Sequence, residues 1–236
     1  MFLVFLTLIS NLFISISTLI SAQNQIGINL GYGIPYYKID VSENNQNNNM
    51  DISYKTNKAY NIGLVYKKMW PGLVSFGSSI SYQFHSIHVN ESSQYKTSSI
   101  ITDADYKLNY INIKAFPEFA YGDKFRFYFQ VGPSLAILFD SSVDGYTDII
   151  TPLATGGVSK IRSILSGDAY GTFNMFSFGF FGGMGIDFPI SKSIVLSSSV
   201  KYQYSINSWF EHDENIFSDR SLFLNIGCSY KITEVH

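Results

Sequence analysis

The sequence predicts an all-β fold, an eight-stranded antiparallel up-and-down transmembrane β-barrel of the outer-membrane type. Three observations support this prediction. Apolar and small polar residues alternate along eight segments, and the links between these segments are alternately short and long. Charged residues make up only 14% of the chain, whereas aromatic residues make up 17%. A soluble domain usually has about 25% charged residues, so this chain has fewer charged residues than a water-facing surface normally carries.

Residues 1–22 form an apolar run that ends in Ser21 and Ala22 and is followed by polar residues. This pattern is typical of a secretory signal peptide cleaved after Ala22. No Lys or Arg precedes the run and Asn11 interrupts it, so an N-terminal membrane anchor helix is the alternative. We expect a signal peptide at 1–22, one barrel domain at 23–236, and export to the bacterial outer membrane.

The alternation is clearest in residues 125–139, which read FRFYFQVGPSLAILF. A strand places alternate side chains on opposite faces, so one face of this strand is apolar and the other is mixed and small. Seven further segments follow the same pattern: 26–36, 60–67, 74–85, 110–121, 176–188, 194–204 and 221–232. The sequence therefore predicts eight strands. Pro133 lacks a backbone donor, which predicts a local bulge at that position.

The links between the segments predict the topology. Short turns lie at 70–72, 121–124 and 189–192, and long polar links lie at 38–57, 86–105, 140–173 and 205–219. In outer-membrane barrels the short turns lie on the periplasmic side and the long loops lie outside. We therefore expect an up-and-down meander with both termini on the short-turn side. The link 140–173 is long enough for two more strands, so a ten-stranded barrel is the alternative.

The apolar face is expected to contact hydrocarbon. In a soluble, lipocalin-like carrier this face would point inward, but the interior of an eight-stranded barrel is only just wide enough for its side chains. It could not hold the bulky residues of all eight strands. Turned outward, the bulky residues meet lipid, the small polar residues fill the lumen, and closure leaves no unpaired strand edges. A soluble carrier remains the alternative interpretation.

Aromatic residues are expected to form two belts, one at each membrane interface. The belt beside the short turns comprises Tyr66, Trp70, Tyr121, Phe125, Phe188 and Tyr230. The belt toward the long loops comprises Tyr82, Phe84, Phe139, Tyr204 and Trp209, with Phe210 beside it. The alternative explanation is β-propensity alone, since aromatic residues favour any strand.

Seven charged residues are expected to point into the lumen, and we call them the lumen charge cluster. They are Lys67, Lys114, Glu118, Arg126, Asp187, Lys201 and Lys231. Unpaired charges are costly in a confined space, so Glu118 and Asp187 are expected to pair with Arg126 and the lysines as a plug. The alternative is a charged constriction of a small pore with some anion preference.

The block 110–139, YINIKAFPEFAYGDKFRFYFQVGPSLAILF, carries a family resemblance. Tyr110, Ile113, Pro117 and the run Gly132-Pro133-Ser134 occupy places that are typical of one hairpin. This block resembles the central hairpin of the PorT-like, porin-family outer membrane protein beta-barrel domain of Bacteroidetes. The resemblance implies an eight-stranded outer-membrane barrel, no catalytic residues, and for one type of member a part in protein secretion. The chain end lacks the terminal Phe that is common in such barrels.

The function expected from these observations is that of a non-enzymatic outer-membrane protein, a structural or binding component of the envelope that acts through its extracellular loops. Its expected partners are outer-membrane lipid and, through loops or periplasmic turns, envelope or secretion proteins. One alternative is a small porin-like channel for solutes. Another is an outer-membrane hydrolase or acyltransferase, for which the candidate residues are His85, Asp103, Asp105, His212, Asp213 and Glu214.

Other functional classes lack support in the sequence. With 16 basic and 18 acidic residues, no basic surface invites nucleic acid. His85 and His88 are three positions apart, which on a strand places them on opposite faces, so no metal site is expected there. No phosphate-binding loop or nucleotide fingerprint occurs, and we expect no cofactor. Cys228 is the only cysteine and is expected to be a small apolar filler. No feature specifies an oligomeric state.

Overall fold

The computed structural model describes residues 23–40, 49–70, 73–94, 97–122, 124–169, 171–206 and 216–232. These residues form nine strands: β1 (Gln23–Asp40), β2 (Asn49–Met69), β3 (Val74–Gln94), β4 (Ser99–Tyr121), β5 (Arg126–Pro152), β6 (Val158–Asp168), β7 (Phe176–Pro189), β8 (Ile194–Ser205) and β9 (Ile216–Ile232). No helix in these ranges is long and apolar enough to cross a membrane. The predicted signal peptide lies outside the described residues.

Eight of the nine strands form a closed ring. The hydrogen-bonded order is β4-β3-β2-β1-β9-β8-β7-β5, and pairing of β4 with β5 closes it. Every pair of neighbouring strands is antiparallel. Among the described strands, β6 pairs only with β5 and stands outside the ring. The prediction of an eight-stranded up-and-down barrel is confirmed, and the ten-stranded alternative is wrong.

The bulky apolar residues form the outer wall of the ring. Phe127 is 60% exposed, Phe178 is 56% exposed and Ile226 is 69% exposed, whereas Glu118 is 0% exposed. The alternation of period two produces this result, because each strand gives one face to the wall and one to the lumen. The alternative with an inward apolar face is therefore wrong. Cys228 is exposed and pairs in register with Ile28 of β1, so it belongs to the wall and not to the interior.

At the long-loop end, several strands continue beyond the apolar band, among them parts of β3, β4 and β5, which form one sheet with β6. We call these parts the extension sheet: residues 86–94 of β3, 99–109 of β4, 140–152 of β5, and all of β6. The expectation that 86–105 is a loop is wrong, because β3 and β4 pair throughout and only residues 95–98 connect them. Likewise 49–57 belongs to β2, and 140–152 continues β5. The polarity of these segments therefore does not indicate a lack of strand structure.

The prolines interrupt hydrogen bonding without changing the register. Lys114 faces Ser134, and Glu118 faces Gln130, so the same number of residues lies between these pairs on β4 and on β5. The expected bulge at Pro133 is therefore wrong. Between these two pairs, residues 115–117 of β4 and 131–133 of β5 are not paired with each other. This stretch contains Pro117 and Pro133, neither of which has an N–H to donate. The register shifts that do occur lie at Thr56/Lys58 and at Asn109/Tyr110.

Residues in the short turns explain why the strands end there. Gly122 has a φ of +107°, a conformation that side chains with a Cβ rarely adopt. In the turn after β7, the Ser191 hydroxyl accepts a hydrogen bond from the Ile194 N–H at 3.0 Å. The turn predicted at 70–72 lies partly outside the described residues. Connections this short place β4 beside β5 and β7 beside β8, and so fix the short-turn end of the ring.

Candidate functional site

The lumen at the short-turn end holds four charged side chains from four strands. The Lys67 Nζ on β2 lies 2.6 Å from Glu118 Oε2 on β4 and 3.9 Å from Asp187 Oδ2 on β7. Arg126 on β5 lies 3.6 Å from Glu118 and donates to the Ser75 hydroxyl at 2.9 Å. Because Glu118 is fully buried, the two cations are what compensates its charge.

The other three members of the lumen charge cluster lie around this centre. The Lys114 Nζ is 5.1 Å from the centroid of the Phe181 ring, a cation–π contact inside the ring of strands. Lys201 lines a cavity of about 40 Å³ together with Lys67, Asp187 and Gln130. Lys231 is half-buried on β9 at the short-turn end. The structure thus places six of the seven residues inside and the seventh at the rim.

Above the charges, amide side chains join opposite walls. Asn112 of β4 donates to Gln83 of β3 at 3.0 Å, and Gln83 donates to Gln203 of β8 at 3.4 Å. In the ring, β3 and β8 are separated by three strands on each side. All three amide residues are buried. A direct contact between opposite walls shows that the lumen is narrow at this level.

Aromatic rings also cross the lumen, at the level of the amides and beyond it. The rings of Phe116 and Phe181 meet edge to face with centroids 5.7 Å apart, and His85 packs against Phe223 at 6.3 Å. Glycine makes room for them. A Cβ on Gly33 would lie 2.4 Å from the Phe223 ring, closer than any normal contact. The Phe116–Phe181 and His85–Phe223 pairs each join strands that are not neighbours in the ring, so they too bridge the lumen.

An apolar cluster lies at the long-loop end of the lumen, and we call it the mouth cluster. Its members are Ile87, Val89, Leu108, Tyr110, Ala136, Leu138, Ala169 and Phe173. Six of them come from the inner faces of β3, β4 and β5, whereas Ala169 and Phe173 come from the segment between β6 and β7. The Phe173 ring meets the Tyr106 ring edge to face at 5.4 Å. This cluster was not predicted, although alternation continues unbroken through Ile87 and Val89.

The expected aromatic residues lie on the wall where they are described. Near the short turns, the rings of Phe125 and Phe188 are 5.6 Å apart, and Trp70 packs against Phe76 at 5.7 Å. Toward the long loops, Tyr82 packs against Phe139 at 6.0 Å. Exposed positions also hold Tyr66, Tyr121, Tyr204 and Tyr230, while Phe84 is half-buried. Trp209 and Phe210 lie outside the described residues.

Among the described residues, the candidates for hydrolysis do not lie together. His85 is buried in the lumen, whereas Asp103 and Asp105 lie on the outer face of the extension sheet. There they contact a different histidine, since His88 Nδ1 lies 3.0 Å from Asp105 and His88 Nε2 lies 3.8 Å from Asp103. His85 and His88 occupy opposite faces of β3, as their spacing predicts. His212, Asp213 and Glu214 lie outside the described residues.

A second ion-pair group on the extension sheet was also not predicted. Arg162 of β6 donates two hydrogen bonds to Asp148 of β5, at 2.7 and 2.8 Å, and Lys160 lies 2.9 Å from the same carboxylate. The hydrogen bonds from Arg162 hold the pKa of Asp148 well below its ordinary value, and Lys160 adds to the shift. The Arg162 guanidinium also stacks 4.0 Å from the Tyr146 ring. This group ties β6 to β5.

Several solved structures of outer-membrane proteins are similar to this chain. OprG, an outer membrane protein of Pseudomonas aeruginosa, matches with a TM-score of 0.51 and 12% identity, covering 91% of this chain and 98% of OprG. Neisserial surface protein A matches with a TM-score of 0.48 and 14% identity, covering 90% and 99%. Ail of Yersinia pestis matches with a TM-score of 0.40 and 13% identity, covering 89% and 99%. At such identities, the OprG match supports the fold alone.

No curated protein sequence matches the chain. A family model does, and it covers residues 21–211, which is well over half of the chain. Its extent includes β1 to β8 and therefore most of the ring, with the lumen charge cluster up to Lys201. The chain accordingly belongs to the outer membrane protein beta-barrel domain family.

Proposed function

We propose that this protein is a non-enzymatic component of the bacterial outer membrane whose closed barrel anchors a rigid binding surface, the extension sheet, outside the cell. The observation that best supports this proposal is that side chains fill the lumen. Side chains from opposite walls meet at the level of the charges, of the amides and of the aromatic rings, and the mouth cluster lies above them. On this proposal the barrel serves as an anchor and not as a path for solutes.

The outer wall supports the membrane part of the proposal. On β3, residues 74–84 give the wall a band that contains Val74, Phe76, Ile80 and Tyr82, all exposed. These eleven positions match the roughly 9–11 residues that a tilted strand needs to cross a bilayer. Outer-membrane lipid is the partner that such a band requires, since apolar residues this exposed are unfavourable in water.

The extension sheet supports the binding part. Its strands pair continuously beyond the band, so neighbouring strands satisfy the backbone groups of β3, β4 and β5 there, whereas among the described strands β6 is paired on one edge only. In addition, the exposed β6 side chains include Val158, Ile161 and Ile164, at 65%, 60% and 79% exposure. Exposed apolar groups on a rigid sheet are typical of surfaces that contact another macromolecule. We expect envelope or secretion proteins to be the partners.

Three further elements belong to the same proposal. Residues 1–22 act as the signal peptide that directs export, and the short turns face the periplasm. The PorT-like character suggested by residues 110–139 would place the protein near a secretion system of Bacteroidetes. These elements rest on sequence patterns, and each has a direct check in N-terminal sequencing of the mature protein or in surface labelling of intact cells.

Conductance in planar lipid bilayers tests the proposal against the small-channel alternative. The refolded protein is expected to insert and to give no discrete current steps above those of lipid alone. A heat-unfolded sample controls for leakage from detergent, and insertion is verified by the slower or faster gel migration of unheated compared with heated protein. Reproducible steps with anion preference would favour the channel and would refute the filled anchor.

A further inference from the structure

A row of polar residues crosses the outer wall just beyond the apolar band at the long-loop end. In the register, Lys58 of β2 faces Ser86 of β3, and Ser86 faces Lys107 of β4. All three belong to the outward set, since the next row toward the membrane holds Tyr60, Phe84 and Asn109 on the same strands. Lys58 and Lys107 are both exposed. We call Lys58, Ser86 and Lys107 the lysine row.

The spacing of the lysine row suits one small anion. Neighbouring strands lie about 4.8 Å apart, so the backbones of Lys58 and Lys107 are separated by about 10 Å with Ser86 between them. Each lysine carries its ammonium on a flexible four-carbon stem, which lets both charges converge above the serine hydroxyl. The row therefore offers two cations and a hydroxyl donor to one group.

Three carboxylates, those of Asp105, Asp140 and Asp144, lie on the same face within two positions of Lys107 or of Ser142, its partner on β5, and none of them forms an ion pair with Lys107. On the same face, Asp140 accepts a hydrogen bond from Asn109 at 2.7 Å, and Asp105 is engaged by His88 at 3.0 Å. Within the described part of the chain, no ion pair involves Lys58 or Lys107. Both ammonium groups are thus available to a ligand from outside the chain.

The aromatic residues below the row define its depth. The Tyr60 ring stacks on the Phe84 ring with centroids 6.2 Å apart, and it meets the Tyr32 ring at 5.5 Å. The Tyr82 hydroxyl donates to Asn109 at 2.5 Å, which marks the change from apolar to polar wall on β4. Aromatic residues with such polar tips lie at the level where acyl chains end and headgroups begin. The lysine row is the first row beyond this level.

We propose that the lysine row binds the phosphate of a lipid headgroup in the leaflet on the long-loop side, with the acyl chains against Tyr60 and Phe84. Charge complementarity supports this occupant, because two cations meet one phosphate group. Continuity with the lipid-facing wall supports it too, because the row begins where that wall ends. The inference rests on the membrane orientation given in the proposed function, and it adds a chemically defined lipid contact to it.

Native mass spectrometry of the refolded protein, released from detergent micelles, tests this inference. The probes are dioleoyl phosphatidic acid, which has a phosphate monoester, and dioleoyl phosphatidylcholine, which is zwitterionic. Wild-type protein is expected to retain phosphatidic acid in preference to phosphatidylcholine. The Lys58→Gln/Lys107→Gln variant should bind phosphatidic acid about tenfold more weakly or worse, with each single variant between.

The matched control removes two exposed lysines from the opposite end, as Lys124→Gln/Lys192→Gln, and it should keep wild-type retention. Lys58→Arg/Lys107→Arg should also keep it, because the charge is preserved. Equal retention by Lys58→Gln/Lys107→Gln and wild type would overturn the inference. Inorganic phosphate that binds as tightly as the lipid would overturn it too, since the site would then be one for a free anion. A non-conducting, folded barrel that fails these tests would leave the proposed function intact.

Discussion

The ammonium of Lys67 lies 2.6 Å from Glu118 Oε2, although β2 and β4, the strands that carry these two residues, are not neighbours in the ring. The pair therefore reaches across β3 inside the lumen and connects two strands that are not hydrogen-bonded to each other. Glu118 is fully buried, and Arg126 approaches its other oxygen at 3.6 Å. The carboxylate joins β2, β4 and β5 at the short-turn end.

Glu118→Gln is expected to destabilise the barrel strongly. Removing one partner from a buried ion pair leaves the other charge uncompensated, which typically costs about 3–5 kcal/mol. Here the nearest carboxylate left to Lys67 would be that of Asp187, at 3.9 Å. The measurement is the free energy of unfolding by guanidinium chloride in lipid vesicles, followed by tryptophan fluorescence. The double variant Lys67→Met/Glu118→Gln should lose less than the sum of the two single variants. A Glu118→Gln barrel as stable as the wild type would contradict a plug built on this pair.

Gly33→Ala is expected to destabilise the barrel by about 1–3 kcal/mol through overpacking. The new Cβ would lie 2.4 Å from the Phe223 ring, and that ring is itself buried. Shortening the ring residue in Gly33→Ala/Phe223→Leu should recover part of the loss. Gly182→Ala is the matched control, because a Cβ there meets no atom within 4 Å. Equal unfolding free energies for Gly33→Ala and Gly182→Ala would show that the lumen is not tightly packed at Phe223.

Asp148 is expected to titrate below its ordinary pKa of 3.8, because Arg162 donates two hydrogen bonds to the charged form. A lowered folded-state pKa means that the pair stabilises the β5–β6 hairpin fully above about pH 4. That stability is lost as the pH falls through the folded-state pKa. The measurement is the ¹³C chemical shift of the Asp148 carboxyl carbon as a function of pH. Arg162→Gln should raise the midpoint more than Lys160→Gln does, and equal effects would contradict the assigned order of the two causes.

Phe173→Ala is expected to loosen the mouth cluster. Phe173 is 3% exposed and packs against Tyr106, so its removal leaves a cavity in an apolar contact region. The backbone N–H of Leu138 donates to Met175 at 2.8 Å, and that of Ala169 donates to Ser141 at 3.3 Å. Hydrogen exchange at these two amides should accelerate. Phe180→Ala on the outer wall is the control and should leave both unchanged, whereas unchanged rates in Phe173→Ala would show that Phe173 does not hold the segment in place.

The ring could be predicted from the sequence because a period of two fixes which side chains share a face. In 125–139 the pattern assigns Arg126 to the lumen and Phe127 to the wall, and the short turns then give antiparallel order. The extension sheet is harder to predict, because polar outward residues such as His88 and Asn90 are typical of loops. The inward Ile87 and Val89 continue the alternation and were the available signal.

The partners within the lumen could not be predicted in the same way. Alternation places Lys67, Lys114 and Lys201 inside, but it does not say which lysine reaches Glu118. That depends on how far the strands are displaced along one another when the sheet closes. The position of Phe173 could not be predicted either. Phe173 lies between β6 and β7, outside both strands, and the alternating pattern gives no information on residues outside strands. Side-chain direction is a local property, whereas contact across a closed sheet is a global one.

Quenching of tryptophan fluorescence by lipids with brominated acyl chains tests the central claim most directly. Two phenylalanines of β7 make a matched pair, since Phe178 is 56% exposed on the wall and Phe181 is 2% exposed in the lumen. Each is replaced by tryptophan in a background in which Trp70 and Trp209 are phenylalanine. Phe178→Trp is expected to be strongly quenched and Phe181→Trp to be little affected. Strong quenching of Phe181→Trp with little effect on Phe178→Trp would show that the wall and the lumen have been assigned the wrong way round.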